Sequence, residues 1–488
     1  MAQLTGIGLA AGSGIRCRPL TLKAKDYIRA KAAVHFLGRR VLDWVLHDLL
    51  DQGVRDFVMV AKGKENRYQI KNMVGYGESL GADIRYSPVR FDQTNHGSGD
   101  SLLTNMEYYR LDGTVVVFPT DSVFDFDLPA MLEAHRNSGA VITIATSTMP
   151  AETIAGNYGL IDRKPNGRVR GFIEKPSLEC IYAHYGLIGQ NRRPLPLLPT
   201  NAGVYLINAY ALRHIARHPE VVAMRKDHCD LGGDLLPWLV KKGYSVNSYN
   251  IDRMGDLGNV DSYLKTMVEA LHGKYLSMTP LMPDCYLEGS GLMIDPTSLA
   301  LADPVSRLTL AEKLEQGLVE IHAPVRIGKY VQVFPGTVLA ECNIDDDCEI
   351  YEHATIIRST VGAGSLIGAH GYLESAILGS MVELRSTFKE RVSVRGQVAL
   401  GDEVIVESGI SMSDHVAVHP RLAIPHGTVV PPHTNLETDE QVLHYCHADY
   451  GSMPFPLAAP YWNTKPVDIQ PLPAAKRKAA SPAIAVSQ

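Results

Sequence analysis

The sequence predicts an α/β domain that is followed by a parallel β-helix. Three observations support this prediction: the chain is 488 residues long, strand-like and helix-like apolar runs alternate in its first half, and aliphatic residues recur at six-residue steps in its second half. A chain of this length exceeds what one hydrophobic core usually organises. We expect a first domain at 1–272, a junction at 273–322, a β-helix at 323–435 and a loosely ordered extension, rich in proline and alanine, at 436–488.

The elements of the first half follow the strand–helix alternation of α/β domains. The apolar runs 4–10, 56–61 and 114–122 predict buried strands, and residues 40–54 have apolar positions at helical spacing. Helices that cross between strands in this way usually leave the strands parallel. The first half is therefore predicted to be a Rossmann-like domain with a mostly parallel sheet, whose ligands bind at the carboxyl ends of its strands.

Aliphatic residues recur at steps of six, with two steps of five, in the second half. The first series is Ile327, Val333, Val338, Ile344, Ile350, Ile356, Val361 and Ile367, and the second is Val392, Val398, Val404, Ile410, Val416 and Leu422. A parallel β-helix built from hexapeptides produces this period, because its coils stack and bury a ladder of aliphatic side chains. Such coils usually cover their open faces with further copies, so we expect a homo-oligomer.

Composition and charge argue against several classes of protein. The formal net charge of −6 provides no general attraction to nucleic acid or to anionic membranes. The seven cysteines include no Cys-x-x-Cys pair, which argues against a zinc ribbon or a disulfide scaffold. The N-terminus lacks the basic segment of a signal peptide, and no apolar run is long enough to span a bilayer. We expect a cytoplasmic enzyme without nucleic-acid or membrane partners.

The loop GLAAGSGIRCRPL, at 8–20, joins the first strand to a group of glycines and arginines. Gly12 and Gly14 allow backbone angles that other residues avoid, and they let an anion approach main-chain N–H groups. Arg16 and Arg18 add positive charge where phosphate oxygens would lie. The loop suits a nucleotide phosphate, although it matches neither the Rossmann nor the P-loop motif and could equally be a glycine turn with solvated arginines.

Two other charged residues stand close to apolar runs. Asp121, in FPTDS, follows an apolar strand, and a carboxylate at that end of a strand is well placed to hold a metal ion. An aspartate that caps the following helix is the alternative. Lys31 precedes an apolar run, where its ammonium group could reach a phosphate.

Seven motifs follow one another along residues 4–270. They are LAAGSGIRCRPLT, RAKAAVHFLGRRVLD, NHGSGDS, FPTDS, YGLIDRKPNGRVRGFIEKPS, TNAGVY and RMGDLGNVDSYLKT. Together they resemble the signature of the sugar-1-phosphate nucleotidylyltransferases, the NDP-sugar pyrophosphorylases, and the second motif is most similar to the ADP-glucose pyrophosphorylase branch. Members of this family commonly carry a C-terminal left-handed β-helix of hexapeptide repeats.

The resemblance implies an Mg²⁺-dependent enzyme of the EC 2.7.7 type that transfers a nucleotidyl group from an NTP to a sugar-1-phosphate and releases pyrophosphate. The matched nucleotide-binding residues are Ala10, Ala11, Gly12, Gly14, Arg16, Gly97 and Ser98. The matched sugar-phosphate-binding residues are Gly159, Glu174, Lys175 and Asn201. The matched catalytic residues are Arg16, Lys31, Asp121 and Lys175, and the matched metal ligands are Asp121 and Asp256.

The chain departs from the family pattern near the N-terminus. Ile15 replaces a usual threonine, and Ala32 replaces a usual proline. A short insertion before the second motif also leaves Lys23 or Lys25 as alternatives to Lys31. These departures leave open a catalytically weakened, regulatory homologue.

A second alternative is a bifunctional enzyme whose β-helix transfers an acyl group. Such helices use a histidine base, and the available histidines are His353, His370, His415 and His419. The motifs do not determine which nucleobase or which sugar the enzyme uses.

Overall fold

The computed structural model describes residues 4–10, 12, 14–23, 28–187, 193–283 and 290–446. Ala11, Lys25 and the end of the C-terminal extension, which carry predictions from the sequence, lie outside the described residues, and so does the side chain of Lys23. None of the helices in the described ranges has the length and hydropathy needed to cross a membrane.

The first part of the chain, the sheet region (residues 4–272), contains strands flanked by helices. Its strands are β1 (Leu4–Ala10), β2 (Leu22–Lys23), β3 (Ile28–Arg29), β4 (His35–Phe36), β5 (Arg39–Arg40), β6 (Asp56–Ala61), β7 (Asp83–Tyr86), β8 (Thr114–Pro119), β9 (Ser122–Asp125), β10 (Ile142–Met149), β11 (Leu160–Arg163), β12 (Val169–Ile173), β13 (Leu198–Asn208), β14 (Val246–Asn250) and β15 (Arg253–Asp256). Its helices are α1 (Val41–Asp51), α2 (Lys64–Val74), α3 (Ser98–Tyr108), α4 (Leu128–Ser138), α5 (Ala151–Ile154), α6 (Leu178–His184), α7 (Ala209–Ile215), α8 (Pro219–Asp227), α9 (Leu236–Lys241) and α10 (Val260–Leu271).

The large sheet of this region is mixed. Its main order is β12-β11-β13-β8-β1-β6-β7, and β10 joins it by pairing with β13 and β14. Strands β1, β6, β7 and β8 are parallel, as are β10 and β14, but β13 runs antiparallel to both β8 and β10. The prediction of a mostly parallel sheet therefore holds only for its core. An apolar run has the same composition in either direction, so the connections decide how the strand runs.

Both faces of the parallel core are covered by helices, which explains why its strands are apolar without alternation. Along β6, Phe57 and Met59 belong to the apolar cluster that contains α1. Val58 and Val60 point the other way and belong to the cluster that contains α3. Successive side chains of a strand face opposite sides of a sheet, so each strand contributes to two cores.

The second part of the chain, the stacked-strand region (residues 292–446), consists of short strands. They are β16 (Leu292–Ile294), β17 (Glu320–Ile327), β18 (Gln332–Val333), β19 (Val338–Ile344), β20 (Glu349–Ile350), β21 (Thr355–Ile357), β22 (Thr360–Val361), β23 (Leu366–Ile367), β24 (Tyr372–Leu378), β25 (Glu383–Leu384), β26 (Ser393–Leu400), β27 (Ile405–Val406), β28 (Ser411–Ser413), β29 (Ala417–Val418), β30 (Ala423–Ile424) and β31 (Asn435–Leu436). The helices are α11 (Pro296–Leu299), α12 (Leu310–Glu315) and α13 (Asp439–Cys446).

These strands are stacked in parallel register. Val333 is paired with Ile350, and Ile350 with Ile367, along a sheet of order β18-β20-β23-β25-β27-β30. Side chains bridge neighbouring levels at the same spacing, because the Ser365 hydroxyl accepts a hydrogen bond from the amide of Val382, 17 residues later. The stacking begins at β16, which pairs with β17 and lies inside the segment assigned to the junction.

The six-residue aliphatic series forms one continuous core cluster in this region. The members of both series are buried, with one exception. Val338 is half-buried, and its neighbour Leu339 occupies the core position instead. The step from Val333 to Val338 is five residues, so the expected periodicity misses the inward-facing position there by one residue.

The two regions share a hydrophobic boundary at α10. Met267 and Ala270 belong to the same buried cluster as Ile377 of β24 and Ala399 of β26. Two polar contacts lie at this boundary: Gln397 donates a hydrogen bond to Asp261 (3.0 Å), and His272 lies 3.6 Å from Glu341. The sheet region therefore rests on the side of the stacked strands through its last helix.

Candidate active site

Two aspartates that are far apart in the sequence lie on neighbouring strands. β9 and β15 form a two-stranded antiparallel sheet in which Asp256 is paired with Ser122. Asp121 immediately precedes Ser122 and follows the end of β8. The carboxyl ends of the strands in open α/β sheets are the usual position of a ligand site. The structure thus brings Asp121 and Asp256 together at the expected edge.

Lys31 reaches this edge from a short 3₁₀ turn. Its Nζ lies 2.7 Å from Oδ2 of Asp121. Burial by itself would lower the pKa of Lys31, but the Asp121 carboxylate outweighs it, so the pKa of Lys31 is raised. A Cβ at Gly12 would lie 3.8 Å from the end of the Lys31 side chain, so the ammonium group sits directly beside the glycine loop.

The glycine loop at 8–20 is held in place by hydrogen bonds of Gly14 and Cys17. Gly14 has a φ of +71°, and its carbonyl oxygen accepts hydrogen bonds from the Thr21 hydroxyl (2.5 Å) and the Cys17 amide (3.0 Å). The Cys17 thiol donates to the carbonyl of Leu257 (3.1 Å), and burial raises its pKa to about 12, so it remains protonated. The charged groups that act on this thiol are Lys31, Asp256, Asp121 and Arg16. Cys17 thus marks the point on which these predicted site residues converge.

Asp256 is held by a tyrosine for which the sequence predicted no separate role. The Tyr158 hydroxyl donates to Oδ2 of Asp256 (2.8 Å), and the amide of Gly258 donates to Oδ1 (2.8 Å). Burial, and then the Asp256 carboxylate, raise the pKa of Tyr158, so the hydroxyl keeps its proton. Arg16 approaches the same segment, with Nη1 3.4 Å from Oδ1 of Asn157. The Tyr-Gly motif was the available signal, but only contacts reveal which atom the hydroxyl binds.

The residues matched to the sugar-phosphate site gather around β11 and β13. A Cβ at Gly159 would lie 3.1 Å from the Glu174 carboxylate, and the carbonyl of Gly159 accepts a hydrogen bond from the amide of Asn201 (2.9 Å). Lys175 lies 3.5 Å from Glu174, while burial raises the pKa of Glu174. The Asn201 amide group donates to the Tyr205 hydroxyl (2.7 Å). Lys175 has a half-exposed side chain that can still turn toward a ligand.

Gly97 and Ser98 contact the segment 229–234, for which the sequence motifs predicted no role. The Ser98 hydroxyl donates to Asp230 (2.7 Å) and accepts from the amide of Leu231 (2.9 Å). A Cβ at Gly97 would lie 2.4 Å from the Cys229 carbonyl oxygen, so only glycine fits there. Ser98 is therefore engaged inside the protein. The sequence CDLGGD, at 229–234, offered a signal through its two glycines flanked by aspartates.

A cavity of about 330 Å³ adjoins Asp256 and Tyr158. Arg253 and Lys265 also line it and form no ion pair with a described residue. The Tyr275 hydroxyl lies buried at its wall without a hydrogen-bond partner in the described part of the chain. These cations and the hydroxyl were not predicted, because a lone arginine or lysine on a helix or strand edge carries no sequence signal.

Asp121 and Asp256 are the two predicted metal ligands, and both lie at this edge of the sheet. Within the described ranges, no cluster of three or more histidine, cysteine, aspartate or glutamate side chains could hold a metal ion. Mg²⁺ in phosphate-transferring sites commonly uses one or two carboxylates and completes its shell with substrate phosphates and water. Asp121 and Asp256 fit that donor set.

The histidines considered for acyl transfer do not form one group. His353 stacks on His370 (4.8 Å between ring centres), and His415 stacks on His433 (5.2 Å). His419 is buried, and burial lowers its pKa to about 4. Among the described residues, none of the four candidate histidines forms a hydrogen bond or an ion pair with a carboxylate.

Residues 5–273 match the family model described as nucleotidyl transferase. The chain belongs to this family. The resemblance seen in the sequence motifs is thereby confirmed, and the match ends close to the end of α10.

Individual members of the nucleotidyl transferase family resemble the chain over different lengths. A UTP–glucose-1-phosphate uridylyltransferase of Synechocystis is 26% identical over 369 residues, which cover 74% of this chain and 83% of that protein. A glucose-1-phosphate adenylyltransferase of Alteromonas mediterranea is 27% identical over 282 residues, 54% of this chain and 60% of that protein. One from Anaeromyxobacter is 32% identical over 188 residues, 36% of this chain and 43% of that protein. The alignments with these two adenylyltransferases thus span less than two thirds of their length.

Proposed function

We propose that this nucleotidyl transferase transfers a nucleotidyl group from an NTP to a sugar-1-phosphate and releases pyrophosphate. One observation carries the proposal: Lys31, Asp121 and Asp256 meet beside the glycine loop at the carboxyl edge of the sheet. Relatives named for uridylyl and adenylyl transfer to glucose-1-phosphate support a sugar-1-phosphate acceptor. Because those names differ in the base, they do not select the nucleotide.

The reaction joins two anions. An oxygen of the sugar-1-phosphate forms a bond to the α-phosphorus of the NTP, and the bond from that phosphorus to the bridging oxygen breaks. The bridging oxygen takes the electron pair and leaves as part of pyrophosphate. Since the nucleophile is already an anion, no strong general base is needed, and catalysis depends on positioning and on charge stabilisation.

We assign the nucleotide side to the loop and its cations. Gly12 and Gly14, with Ala10 and Gly97, would lie along the nucleotide, while Arg16 and Lys31 would hold its phosphates. The raised pKa of Lys31 keeps its ammonium group charged, which suits a group that must balance developing negative charge. The hydrogen bonds of Ser98 to Asp230 and Leu231 indicate that it fixes the position of Gly97 and its neighbours against the segment 229–234.

We assign Mg²⁺ to Asp121 and Asp256. Both carboxylates are oriented by neighbours, Asp121 by Lys31 and Asp256 by the Tyr158 hydroxyl. A bound Mg²⁺ would draw charge from the phosphates and help align them. Partners of this kind in the outer shell of a metal site commonly set the orientation of its ligands.

We assign the sugar side to Gly159, Glu174, Lys175 and Asn201. The buried Glu174 carboxylate is a suitable acceptor for sugar hydroxyls, and Lys175 provides a cation for the sugar phosphate. Arg253 and Lys265, in the adjoining cavity, add positive charge next to Asp256.

A substrate panel tests the reaction. The full chain is incubated with Mg²⁺, each of the common NTPs and several sugar-1-phosphates, and pyrophosphate release is measured. We expect one base and one sugar to give release that a chelator abolishes. Absence of release from every pair, from a protein that is folded by circular dichroism, would contradict the proposal and support the catalytically weakened homologue.

We further propose that the stacked-strand region is a left-handed parallel β-helix of hexapeptide repeats, and that it assembles the chain into a homo-oligomer. Its parallel register and buried aliphatic ladder support the first part. Large apolar side chains that are exposed in this region, such as Tyr330, Met381 and Phe388, support the second. Light scattering on the full chain tests the assembly, and a monomeric mass would contradict it. Truncation after residue 272 is a poorer test, because it uncovers the apolar face of α10.

A further inference from the structure

The segment that carries Lys31 is bound on its outer side by the stacked-strand region. Arg29, two residues before Lys31, donates from Nη1 to Oδ1 of Asp402 (3.0 Å), and its Nη2 forms a second close contact with Oδ2. The side chains are 20% and 9% exposed, so this two-point ion pair is largely removed from solvent. Bidentate arginine–carboxylate pairs fix direction as well as distance.

The far end of the same segment contacts an arginine of the stacked-strand region, Arg326. Gly38 has a φ of +78°, and a Cβ there would lie 1.9 Å from Nη2 of Arg326. The guanidinium of Arg326 is itself held by Asn343 (2.8 Å) and Asp345 (2.9 Å), and all three side chains are buried. Any side chain at position 38 would therefore collide with the Arg326 guanidinium, which its buried partners hold in place.

The middle of the segment has little regular structure of its own. Its strands are two-residue pairs, and His35 is held through its carbonyl oxygen by the Tyr263 hydroxyl (2.8 Å). On the inner side, the amide of Ala30 donates to Gln69 of α2 (2.7 Å). The position of Lys31 thus depends on contacts at both ends of the segment. The outer contacts come from residues much later in the chain: Asp402 lies 373 positions after Arg29, and Arg326 lies 288 positions after Gly38.

We propose that Arg29 and Asp402 are positioning residues for Lys31, through which the stacked-strand region holds the ammonium group at Asp121 and at the phosphates of the nucleotide. This inference rests on the proposed nucleotidyl transfer for its kinetic consequence. Without the ion pair, the segment keeps its contact at Gln69 but loses the anchor two residues from Lys31. A displacement of about 1 Å at a catalytic group can cost on the order of 100-fold in rate.

The chain offers a matched control at the same boundary. Gln397 also joins the two regions, but its partner Asp261 belongs to α10 and not to the Lys31 segment. A variant at Gln397 therefore weakens the docking of the regions without releasing the segment. If an Arg29 variant loses more activity than a Gln397 variant, the additional loss comes from the position of Lys31 and not from weaker contact between the two regions.

Kinetics on the full chain test the proposal. We expect Arg29→Ala and Asp402→Asn to lower kcat about 10- to 100-fold, because Lys31 is displaced from the reacting phosphates. The KM for the sugar-1-phosphate should change little, because Lys31 is assigned to the nucleotide. Arg29→Lys, which keeps the charge, should recover part of the loss, whereas Gln397→Ala should stay within about twofold of the wild type. In a Lys31→Ala background, Arg29→Ala should cost almost nothing further, because the two residues act as one unit. Equal losses in the presence and absence of Lys31, or a loss in Gln397→Ala as large as in Arg29→Ala, would overturn the proposal.

Hydrogen exchange provides a readout that does not depend on activity. We expect amides in 28–40 to exchange at least tenfold faster in Asp402→Asn than in the wild type, while α10 exchanges at the wild-type rate. Gln397→Ala should leave 28–40 unchanged. Unchanged exchange of 28–40 in Asp402→Asn would overturn the positioning role even if the wild-type protein releases no pyrophosphate, and the substrate panel separately decides whether the enzymatic proposal fails.

Discussion

The two regions each contain a close lysine–aspartate ion pair, but only the pair in the sheet region is open to solvent. In the stacked-strand region, Lys313 and Asp303 lie 2.5 Å apart with side chains 1% and 0% exposed. In the sheet region, Lys31 and Asp121 lie 2.7 Å apart with side chains 18% and 28% exposed. The same two residue types are thus placed in one case inside a core and in the other at a sheet edge.

The two ion pairs also differ in how many hydrogen-bond partners their charged groups have inside the protein. Lys313 donates a further hydrogen bond to the carbonyl of Val333 (2.7 Å), and Asp303 accepts from the amides of Val305 (2.9 Å) and Ser306 (2.6 Å). Burial would raise the pKa of Asp303, but hydrogen bonds from Lys313 and Ser306 outweigh it and lower the pKa to about 2. Asp121 is the one partner of the Lys31 ammonium group among the described residues. We call the Lys313–Asp303 pair saturated, because its donors and acceptors have several partners inside the protein, which suits a structural role. The Lys31–Asp121 pair is unsaturated, because the Lys31 ammonium group has donors left that could bind a ligand.

The largest effect is expected when the saturated pair is broken. Asp303→Asn leaves the Lys313 ammonium group buried without its counter-charge, which typically costs about 3 to 5 kcal/mol. We expect the free energy of unfolding, measured by urea denaturation, to fall by this amount while turnover per folded molecule stays unchanged. Loss of activity without loss of stability would reverse the roles assigned to the two pairs.

Breaking the open pair should produce the opposite result. We expect Asp121→Asn to lower the rate of pyrophosphate release about 100-fold or more, because removal of one charge-stabilising contact commonly costs this much. The melting temperature should change by less than a few degrees, since the side chain lies at a solvent-facing edge. Asp227→Asn, at an exposed carboxylate that ends α8 away from the site, is the control and should keep normal activity.

A smaller effect is expected at the tyrosine that orients the second carboxylate. Tyr158→Phe removes the hydrogen bond to Asp256 but keeps the ring. Loss of an outer-shell partner typically weakens metal binding about 10- to 100-fold, so activity should fall at limiting Mg²⁺ and recover as Mg²⁺ is raised. A titration of activity against Mg²⁺ measures the shift. An unchanged Mg²⁺ dependence would contradict the assignment of Asp256 as a metal ligand.

The smallest effect concerns a buried histidine of the sheet region. His135 lies against Thr143 (2.8 Å), and burial lowers its pKa to about 4. His135 takes up a proton near pH 6.5 in the unfolded chain but only near pH 4 in the folded chain. The free energy of unfolding is therefore unaffected by the titration of His135 above about pH 6.5, and it decreases as pH falls from there toward 4. Between pH 7.5 and 5.5 we expect the wild type to lose about 1 kcal/mol relative to His135→Gln. The difference between their unfolding free energies at the two pH values tests this, and a constant difference would show that His135 is accessible in the folded protein.

Local patterns in the sequence were sufficient for much of the fold. The six-residue aliphatic series predicted which side chains enter the core of the stacked-strand region, except at Val338. The runs at 4–10 and 56–61 became β1 and β6 with the same bounds. These outcomes follow from periodicity, because burial of one face selects residues by their spacing along a single strand or coil.

The motifs also identified the residues that meet at the sheet edge. Lys31, Asp121 and Asp256 were each matched to a motif, and the structure brings them beside one loop. Motifs cannot show how a side chain is oriented, so the sequence contained no prediction that Ser98 binds Asp230. Direction within the sheet was also missed: β13 runs antiparallel to β8 and β10, and an apolar run predicts a strand without predicting its direction.

By itself, the sequence determined the periodicity of each region, the family and the residue types available at the site. Only the tertiary structure decided the partners: Tyr158 for Asp256 and Asp402 for Arg29. These partners are separated in the sequence by 98 and 373 residues, respectively. The physical reason is that hydrophobic burial acts through local spacing, which a sequence displays, whereas a hydrogen bond or ion pair needs two groups within about 3 Å. That distance is set by the path of the whole chain between them.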